Sequence, residues 1–347
     1  MWITSSLDTV KTPTAVALGN FDGIHRGHRQ VIQPILPSQL DLPQADSKRM
    51  GFQETDTPCR HARADNEPLP EQATPAVPYA TVVTFHPHPQ QFFSGQQRTL
   101  LTPLDEKVRY LQALGVEQLV LLPFDGALAA MSPEQFVDRV LLKQLQARQI
   151  SVGQDFCFGR NRAGTTAVLQ AIAATYGISV QIAPLFTQEG QRVSSSAIRQ
   201  ALEKGDVRQA NRLLGRAYTL VGEVVQGQQM GRTLGFPTAN LHLPPEKFLP
   251  RQGVYSVWVS GVDSSPDTAP LPGVMNIGNR PTVNGMAQTI EVHLLGWTGD
   301  LYGKVLTVSL DTFLRPEQKF ESLDALKAQI QADCVQARSL LNASHFA

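Results

Sequence analysis

Residues 14–32 have the sequence TAVALGNFDGIHRGHRQVI, and this stretch decides the fold of the amino-terminal half of the chain. The apolar run at residues 14–18 predicts a short buried strand, and GNFDG at residues 19–23 predicts a turn. A helix is expected to begin near Ile24. Glycines let such a turn approach a ligand closely, and a helix start offers unpaired N–H groups to an anion. The stretch therefore predicts a strand–turn–helix unit suited to a phosphate group.

Two histidines, His25 and His28, stand at the start of the predicted helix with Gly27 between them. Side chains three positions apart share one face of a helix, so both imidazoles can donate hydrogen bonds to phosphate oxygens. Such a pair suits charge stabilisation during transfer at a phosphorus atom. A chance His-x-Gly-His is the competing interpretation, and the position directly after a strand and a glycine turn favours function. The nucleotide-binding candidates of this stretch are Gly19, Phe21, Asp22 and Gly27.

Short apolar segments and helical patterns alternate through the rest of this half. Strands are predicted at residues 80–85, 118–122 and 149–152, and helices at residues 104–114, 133–148 and 165–176. This alternation predicts an α/β, Rossmann-like parallel sheet with helices on both faces. Residues 38–78 interrupt it, because they are rich in Pro, Gln, Asp, Glu and Arg and lack periodicity. We expect a flexible surface insertion there, with a lid or partner-binding loop as the alternative.

The carboxy-terminal part has a different pattern. Two short helices are expected at residues 197–204 and 207–214, followed by β-type segments at residues 219–225, 254–260, 289–295 and 305–313. Gly and Pro turns between these segments predict a small closed antiparallel β-barrel, and an amphipathic pattern at residues 323–341 predicts a carboxy-terminal helix. The expected division is a first domain at residues 1–200, linker helices at 201–217 and a second domain at 218–347.

The composition limits the classes of partner. Among 347 residues, 30 basic side chains balance 30 acidic ones, so no net positive charge is present to hold nucleic acid or an anionic membrane. Cys59, Cys157 and Cys334 match no zinc spacing and no disulfide framework, which indicates reduced thiols. No stretch approaches the roughly 20 apolar residues of a membrane span. We expect a soluble cytoplasmic protein without nucleic-acid or membrane partners; the sequence does not predict its oligomeric state.

A second polar cluster lies in RVSSSAIR at residues 192–199. Three hydroxyls open a predicted helix and two arginines bracket them, an arrangement that suits a triphosphate. An ordinary serine N-cap with solvated arginines is the alternative. The nucleotide-binding candidates here are Arg192, Ser194, Ser195, Ser196 and Arg199.

The barrel half carries its own polar constellation, although it contains no Walker-type phosphate loop. In GRTLGFPTAN, Gly231 and Gly235 permit close phosphate approach, and Thr238 and Asn240 offer hard oxygen ligands for Mg²⁺. A purely structural turn is the alternative interpretation. Strand alternation places Glu291 on the polar face of its strand, where its carboxylate can accept a proton from an attacking hydroxyl. A solvated strand glutamate without a catalytic role is the alternative interpretation.

Four motifs of the first half resemble, in the same order, those of the FMN adenylyltransferase domain of prokaryotic bifunctional FAD synthetases. These motifs are GNFDGIHRGH, TFHPHPQQFF, VGQDFCFGRNRAG and VSSSAIR. The resemblance implies a nucleotidyltransferase fold in which His25 and His28 contact ATP phosphates. It also implies that the serines and arginines of residues 192–199 close over those phosphates. The flavin-binding residues it implies are Phe85, Pro87 and His88. A metal site at His86 and His88 is the alternative, without a third ligand in view.

Five motifs of the second half resemble those of the riboflavin kinase domain of the same family. These motifs are GRTLGFPTAN, GVYSVWV, VMNIGNRPT, IEVHLL and FLRPEQKFESLDALKAQIQAD. The resemblance implies a small barrel, Mg²⁺ held with help from Thr238 and Asn240, and Glu291 as catalytic base. The expected function is phosphorylation of riboflavin to FMN and adenylylation of FMN to FAD, with ATP as second substrate. The alternatives are another His-x-Gly-His transferase fused to a barrel, and a catalytically silent flavin-binding regulator.

Overall fold

The structure is a computed structural model that describes residues 1–37, 77–227, 230–263, 268–282 and 285–344. The expected insertion at residues 38–78 therefore lies outside the described residues, apart from its last two positions, as does Cys59. Among the described helices, none is both long and apolar enough to cross a membrane.

The first half forms a six-stranded sheet with the strand order β1-β4-β3-β2-β5-β6. Its strands are β1 (Trp2–Thr4), β2 (Thr14–Leu18), β3 (Tyr79–His86), β4 (Gln118–Pro123), β5 (Ala147–Gly153) and β6 (Ser179–Ala183). Every pairing in this sheet is parallel, as the alternating pattern predicts. The short, mostly polar-flanked β1 and the half-exposed β6 form the edges and were not predicted.

Helices cover both faces of this sheet. They are α1 (Arg26–Ile32), α2 (Pro89–Ser94), α3 (Leu104–Ala113), α4 (Gly126–Ala130), α5 (Pro133–Phe136, continued as a π-helix over Val137–Gln144) and α6 (Thr166–Ala174). Single 3₁₀ turns occupy Leu7–Thr9, Gln33–Ile35 and Arg160–Arg162. Alternate residues of β2 enter two different cores: Ala15 and Ala17 pack with side chains of α1 and α3, and Val16 and Leu18 pack with those of α5 and α6. Because both faces of β2 are buried, its sequence is a continuous apolar run without polar alternation.

The strand order changes direction around β2, which lies between β3 and β5. In open parallel sheets, ligands bind beyond the carboxyl ends of the strands at such a point. The GNFDG turn follows β2, and Gly153 and Asp155 follow at the end of β5. The fold therefore brings these two loops to one place.

The second half contains a closed barrel with the order β10-β13-β12-β11-β14-β9, antiparallel throughout. Its strands are β9 (Thr219–Val225), β10 (Ala239–His242), β11 (Gly253–Ser260), β12 (Leu271–Thr282), β13 (Gly285–Leu294) and β14 (Val305–Arg315), and a short helix α9 (Met230–Leu234) precedes β10. The sequence predicts the barrel but not β10, which is short, or β12, whose Pro and Gly residues hide its strand character.

Two helices, α7 (Ser195–Lys204) and α8 (Val207–Leu214), connect the halves, after a two-stranded hairpin of β7 (Thr187–Gln188) and β8 (Gln191–Arg192). The apolar side chains of α7 and α8 belong to the same core as the barrel interior. Asn211 ties α8 to the barrel, since its side chain donates to the Leu310 carbonyl at 2.8 Å and accepts from the Tyr218 N–H at 2.7 Å. These helices therefore pack on the barrel as a structural part of it.

The terminal helix α10 (Leu323–Ser344) packs on the outer face of the barrel through Cys334 and Ala337, against Val254, Val274 and Leu295. A second link is ionic, because Arg315 of β14 donates from Nε and Nη2 to the carboxylate of Asp333 at 2.8–3.1 Å. Asp333 is 3% exposed. A buried carboxylate held by a guanidinium in this bidentate manner fixes the position of the helix.

Asp333→Ala should lower the free energy of unfolding by about 2–3 kcal/mol, because it leaves the Arg315 guanidinium without its partner in a largely buried position. Urea unfolding followed by the fluorescence of the barrel tryptophans Trp258 and Trp297, in a Trp2→Phe background, measures this. The control is Asp324→Ala on the exposed first turn of α10, which should cost less than about 1 kcal/mol. Equal losses in the two variants would contradict the assigned role of Asp333.

Candidate active sites

A cavity of about 1020 Å³ opens beyond the carboxyl ends of the parallel strands. Most of the nucleotide and flavin candidates of the first half line it, together with both histidines. These residues are Gly19, Phe21, Asp22, His25, Gly27, His28, Phe85, His88, Arg192, Ser194, Ser195 and Ser196. Pro87 and Arg199 are not among the lining residues. The structure thus brings together motifs that are separated by up to about 180 positions in the sequence.

His25 and His28 lie side by side at the amino terminus of α1. Nδ1 of His25 accepts a hydrogen bond from the backbone N–H of His28 at 3.2 Å, so His25 is the N-cap of the helix. The two rings stack with centroids 3.6 Å apart. Because Nδ1 of His25 is an acceptor, the imidazole proton is on Nε2, where it remains available as a donor. Nδ1 of His28 is buried without a hydrogen-bond partner among the described residues, and His28 lines the cavity.

Burial controls the charge of this pair. Removal from water lowers the pKa of His25 to about 4, against a partial opposing effect of Asp22. Burial, followed by the nearby charges of His25 and Lys107, holds the pKa of His28 well below its usual value of 6.5. Both imidazoles are therefore neutral at pH 7, and they act as N–H donors without bringing a full positive charge.

The turn between β2 and α1 has positive φ at Phe21 (48°), Gly23 (97°) and Ile24 (43°). A non-glycine residue in this region carries strain that the surroundings must hold, and such strain clusters at functional loops. The Asn20 carbonyl accepts hydrogen bonds from Thr84 Oγ1 and from Lys107 Nζ, each at 3.0 Å. The buried Lys107 thus supports the turn from behind, and burial lowers its pKa.

The serines differ from one another in their contacts. Ser194 is the N-cap of α7, since its Oγ accepts from the N–H of Ala197 at 3.2 Å, which matches the ordinary capping interpretation. Ser195 Oγ donates to the Asp22 carbonyl at 2.7 Å and so joins α7 to the turn. Ser196 lines the cavity. The capping and ligand-binding interpretations are compatible for this helix start.

Both arginines of the RVSSSAIR motif are engaged by carboxylates. Arg192 pairs with Asp155 across the cavity mouth, and both side chains are about half exposed. Arg199 pairs with the buried Asp22, and its Nη2 also donates to the Thr99 carbonyl at 2.8 Å. Arg199 lies outside the cavity lining, so in this structure it supports the turn.

One wall of the cavity is aromatic. Phe85 and Phe93 meet the ring of Phe124 edge to face, at centroid distances of 5.7 and 5.8 Å. Phe156 and Phe158 stack further along. An apolar surface of ring faces and edges suits a flat aromatic ligand. Next to it, His88 caps α2 through Nδ1, and burial followed by the charge of Arg98 lowers its pKa to about 4.

The histidine pair His86 and His88 gains no third ligand, because the described residues contain no group of three His, Cys, Asp or Glu side chains placed to hold a metal ion. Several lining residues were not singled out from the sequence. They are Phe93, Arg98, Phe124, Leu128, Phe136, Asp155, Phe156, Phe158, Asn161, Arg162 and Phe186. Some belong to the quoted VGQDFCFGRNRAG motif, whereas Arg98 and Phe124 carry no local signal.

The second constellation lies on the outer face of the barrel. Glu291 of β13 is the cross-strand partner of Asn240 on β10 and of Asn276 on β12. Its strand neighbours Ile290 and Val292 point into the barrel core and are buried. The predicted alternation is therefore observed, and it puts the Glu291 carboxylate between the amides of Asn240 and Asn276. Asn240 follows Thr238 by two residues in the sequence. Asn276 was not predicted.

Glycine residues leave space beside these polar groups. A Cβ on Gly231 would overlap the Phe236 carbonyl and lie 3.3 Å from Thr238 Oγ1, and a Cβ on Gly227 would overlap the Asn240 side chain. Gly235 has φ +88°, which a glycine adopts readily. The carbonyl of Pro237, next to Thr238, hydrogen-bonds Nδ1 of His293 at 2.8 Å. The hydroxyl and amide oxygens thus sit in a backbone cradle, and this donor set fits a hard cation such as Mg²⁺.

Two family models match different parts of the chain. A family model described as riboflavin kinase matches residues 214–341, and one described as FAD synthetase matches residues 7–51 and 68–197. A solved structure described as a macrolide-efflux protein from Streptococcus pneumoniae has a TM-score of 0.77 and 27% identity, covering 97% of this chain and 98% of that one.

Three bacterial relatives share one description, bifunctional riboflavin kinase/FMN adenylyltransferase. The protein of Escherichia coli K12 is 39% identical over 324 residues, covering 93% of this chain and 91% of that protein. The protein of Haemophilus influenzae is 34% identical, with 94% of each chain covered. The protein of Bacillus subtilis is 31% identical, covering 92% and 90%. The chain therefore belongs to the bifunctional riboflavin kinase/FMN adenylyltransferase family, and it is an enzyme with both of these ATP-dependent activities.

Proposed function

We propose that the two reactions occur at two separate sites: riboflavin phosphorylation at the barrel face around Glu291, and FMN adenylylation in the cavity around His25 and His28. The observation that carries this proposal is that Glu291 pairs with Asn240 within the riboflavin kinase match, whereas both histidines line a cavity within the FAD synthetase match. The proposed domain division is residues 1–200, linker helices 201–217 and residues 218–347.

In the adenylylation site, the phosphate of FMN attacks the α-phosphorus of ATP and pyrophosphate leaves. The attacking oxygen is already anionic, so no general base is required and the protein must orient the phosphates and stabilise charge. Nε2–H of His25 and the His28 imidazole donate to phosphate oxygens. The residues proposed to shape the nucleotide site are Gly19, Phe21, Asp22 and Gly27, whose turn lines the cavity.

The neutral histidines leave the positive charge of this site to the arginines. Arg192 is held by Asp155 and Arg199 by Asp22, so each guanidinium already binds a carboxylate oxygen. We propose that a phosphate oxygen replaces the Asp155 carboxylate at Arg192 when ATP binds, and that Ser194 and Ser196 donate to the same nucleotide. Arg199 and Ser195 act on the nucleotide indirectly, because they hold the turn through Asp22.

For the flavin, we propose that the ring of Phe85, with Pro87 and His88, contacts the isoalloxazine side of FMN. The edge-to-face cluster around Phe124 supports this assignment, because it forms an apolar wall next to the nucleotide turn. His88 remains neutral at pH 7, since its pKa is lowered to about 4, and it suits hydrogen bonding to an uncharged ring better than charge pairing.

In the kinase site, Glu291 accepts the proton of the ribityl hydroxyl as that oxygen attacks the γ-phosphorus of ATP, the bond from this phosphorus to the β–γ bridging oxygen breaks, and ADP leaves. Thr238 and Asn240 would hold Mg²⁺ through their side-chain oxygens, and Gly231 and Gly235 let the backbone approach the phosphates. When bound, Mg²⁺ neutralises charge on the phosphate oxygens of ATP. The side chain of Asn276, across from Glu291, is placed to orient the carboxylate or the hydroxyl.

We also propose a cytoplasmic location and the absence of nucleic-acid and membrane partners. The balance of 30 basic and 30 acidic side chains supports the second point. The substrates ATP, riboflavin and FMN are small molecules, and neither proposed site requires a macromolecular partner.

Glu291→Gln should lower kcat for riboflavin phosphorylation by about 10²–10⁴, because the amide cannot take the hydroxyl proton, while conversion of supplied FMN to FAD persists. Chromatographic separation of the flavins formed from riboflavin or FMN with ATP and Mg²⁺ measures both steps. Glu223→Gln, an exposed carboxylate on β9 of the same barrel, is the control. Loss of both activities in a folded Glu291 variant would refute the separation of sites.

His28→Ala should have the opposite effect: adenylylation of FMN falls by about 10²–10³ because a donor to the phosphates is lost, and riboflavin phosphorylation is retained. The same chromatographic assay, started from FMN, measures the loss. His242→Ala, which removes an exposed imidazole of the barrel, is the matched control. Undiminished FAD synthesis by the His28 variant would remove the histidine pair from the mechanism.

His25→Asn should reduce the acid sensitivity of the fold while preserving the helix cap, since Asn is a good N-cap residue. Folding holds the His25 pKa at about 4, below the 6.5 of an exposed imidazole, so the unfolded chain takes up the proton first. The stability from the neutral ring is complete above pH 6.5 and is lost as the pH falls towards 4. Urea unfolding at pH 7 and pH 5 should show a smaller decrease in the variant; equal decreases would contradict the prediction.

A further inference from the structure

Residues 246–248, which lie between β10 and β11, form a short parallel β-bridge with residues near Leu100. The Leu100 N–H donates to the Glu246 carbonyl at 2.6 Å, and the Phe248 N–H donates to the Leu100 carbonyl at 2.8 Å. The first of these segments lies in the riboflavin kinase match and the second in the FAD synthetase match. Backbone hydrogen bonds therefore join the two enzymatic halves directly.

Lys247 extends this junction into the interior. Its Nζ donates to the Leu101 carbonyl at 2.8 Å and to the carboxylate of Glu106 at 2.7 Å. Lys247 is 3% exposed and Glu106 is 5% exposed. Buried ions are tolerated only with matched partners in fixed geometry, so this ion pair specifies where the kinase half sits on the other half.

The segment around Leu100 also contacts the turn between β2 and α1, at residues 19–23. Thr102 Oγ1 accepts from the Gly23 N–H at 2.9 Å, and the Thr102 N–H donates to the Asp22 carboxylate at 3.2 Å. The Leu101 side chain lies against the Gly23 backbone, where an added Cβ would be 3.1 Å from it. Residues 99–102 are thus a strap between Lys247 on one side and the turn on the other.

Arg216 gives a second, direct contact from the kinase match. Its Nη2 donates to the Gly23 carbonyl at 2.8 Å, and its guanidinium stacks 3.7 Å from the ring centre of Tyr110. Both backbone groups of Gly23, whose φ is +97°, are therefore occupied: the N–H by Thr102 and the carbonyl by Arg216.

We propose that Lys247 and Arg216, two residues of the riboflavin kinase match, are positioning residues for FMN adenylylation in the other half. They fix the turn that presents the histidines and the backbone N–H groups to ATP. The inference rests on the proposed assignment of this turn to adenylylation. We expect substitution of Lys247 to leave the proposed kinase site intact. Thr238 precedes the four-residue strand β10, whereas Lys247 follows the opposite end of that strand.

The test measures both activities in the intact chain carrying Lys247→Met or Arg216→Met. We expect kcat/KM for ATP in adenylylation to fall at least about 10-fold, since small displacements of a binding loop are costly. The loss should appear in KM for ATP, with KM for FMN and the riboflavin kinase parameters within about twofold of the parent. Lys304→Met is the matched control, because Lys304 donates to the Val262 carbonyl, within the riboflavin kinase match, and makes no hydrogen bond to the strap among the described residues. An unchanged KM for ATP in both folded variants would overturn the proposal.

The buried carboxylate requires a further variant, because Lys247→Met alone leaves Glu106 without its cation. Glu106→Gln/Lys247→Met removes both charges and should recover stability relative to the single variant, measured by urea unfolding. Its adenylylation should remain impaired, since the Leu101 carbonyl has still lost its donor. Full recovery of adenylylation would show that an unpaired charge, and not lost positioning, caused the defect, and would overturn the proposal.

His28→Ala, assayed in parallel, separates failure of this inference from failure of the site assignment. Loss of adenylylation in the His28 variant with unchanged Lys247 and Arg216 variants rejects only the positioning role. Full activity of the His28 variant rejects the assignment of the turn and the inference with it. Loss in all three, with riboflavin phosphorylation retained, supports both.

Discussion

The turn between β2 and α1 follows its left-handed path only because other elements hold its backbone. Phe21, Gly23 and Ile24 all have positive φ, which costs free energy for the two non-glycine residues. The hydrogen bonds that offset this cost come from Thr84, Thr102, Lys107 and Arg216, residues far apart in the sequence. The cavity and the stacked histidines depend on this one constrained segment, and contacts from both halves of the chain hold it in place.

Local patterns predict the framework of both halves and much of the cavity lining. β2 and the histidine pair follow from periodicity and spacing within a few residues. Lys107, Thr102 and Arg216 carry no such signal, because their importance arises from burial against a turn about 80 to 190 positions away. β12 was missed because its Pro and Gly residues resemble turn signals, although barrel closure supplies the pairing that propensity lacks.

The two proposed sites solve the problem of phosphate charge differently. In the cavity the imidazoles are neutral because burial disfavours their protonation, so the cationic groups are guanidiniums already paired with carboxylates. On the barrel, the polar groups around Glu291 are amides and a hydroxyl, which favour a metal cation over a basic side chain. In the proposed mechanism, the same nucleotide is therefore bound by arginines in one half and through a metal held by oxygen ligands in the other.

The exposed pair of Arg192 and Asp155 at the cavity mouth has a consequence for turnover in the proposed mechanism. When pyrophosphate departs, the guanidinium does not have to face water alone, because an internal counter-ion is within reach. Asp155 thereby competes with pyrophosphate for the Arg192 guanidinium. Such competition weakens the hold on product as well as on substrate, and it limits how tightly an enzyme that must empty its site can retain a polyanion.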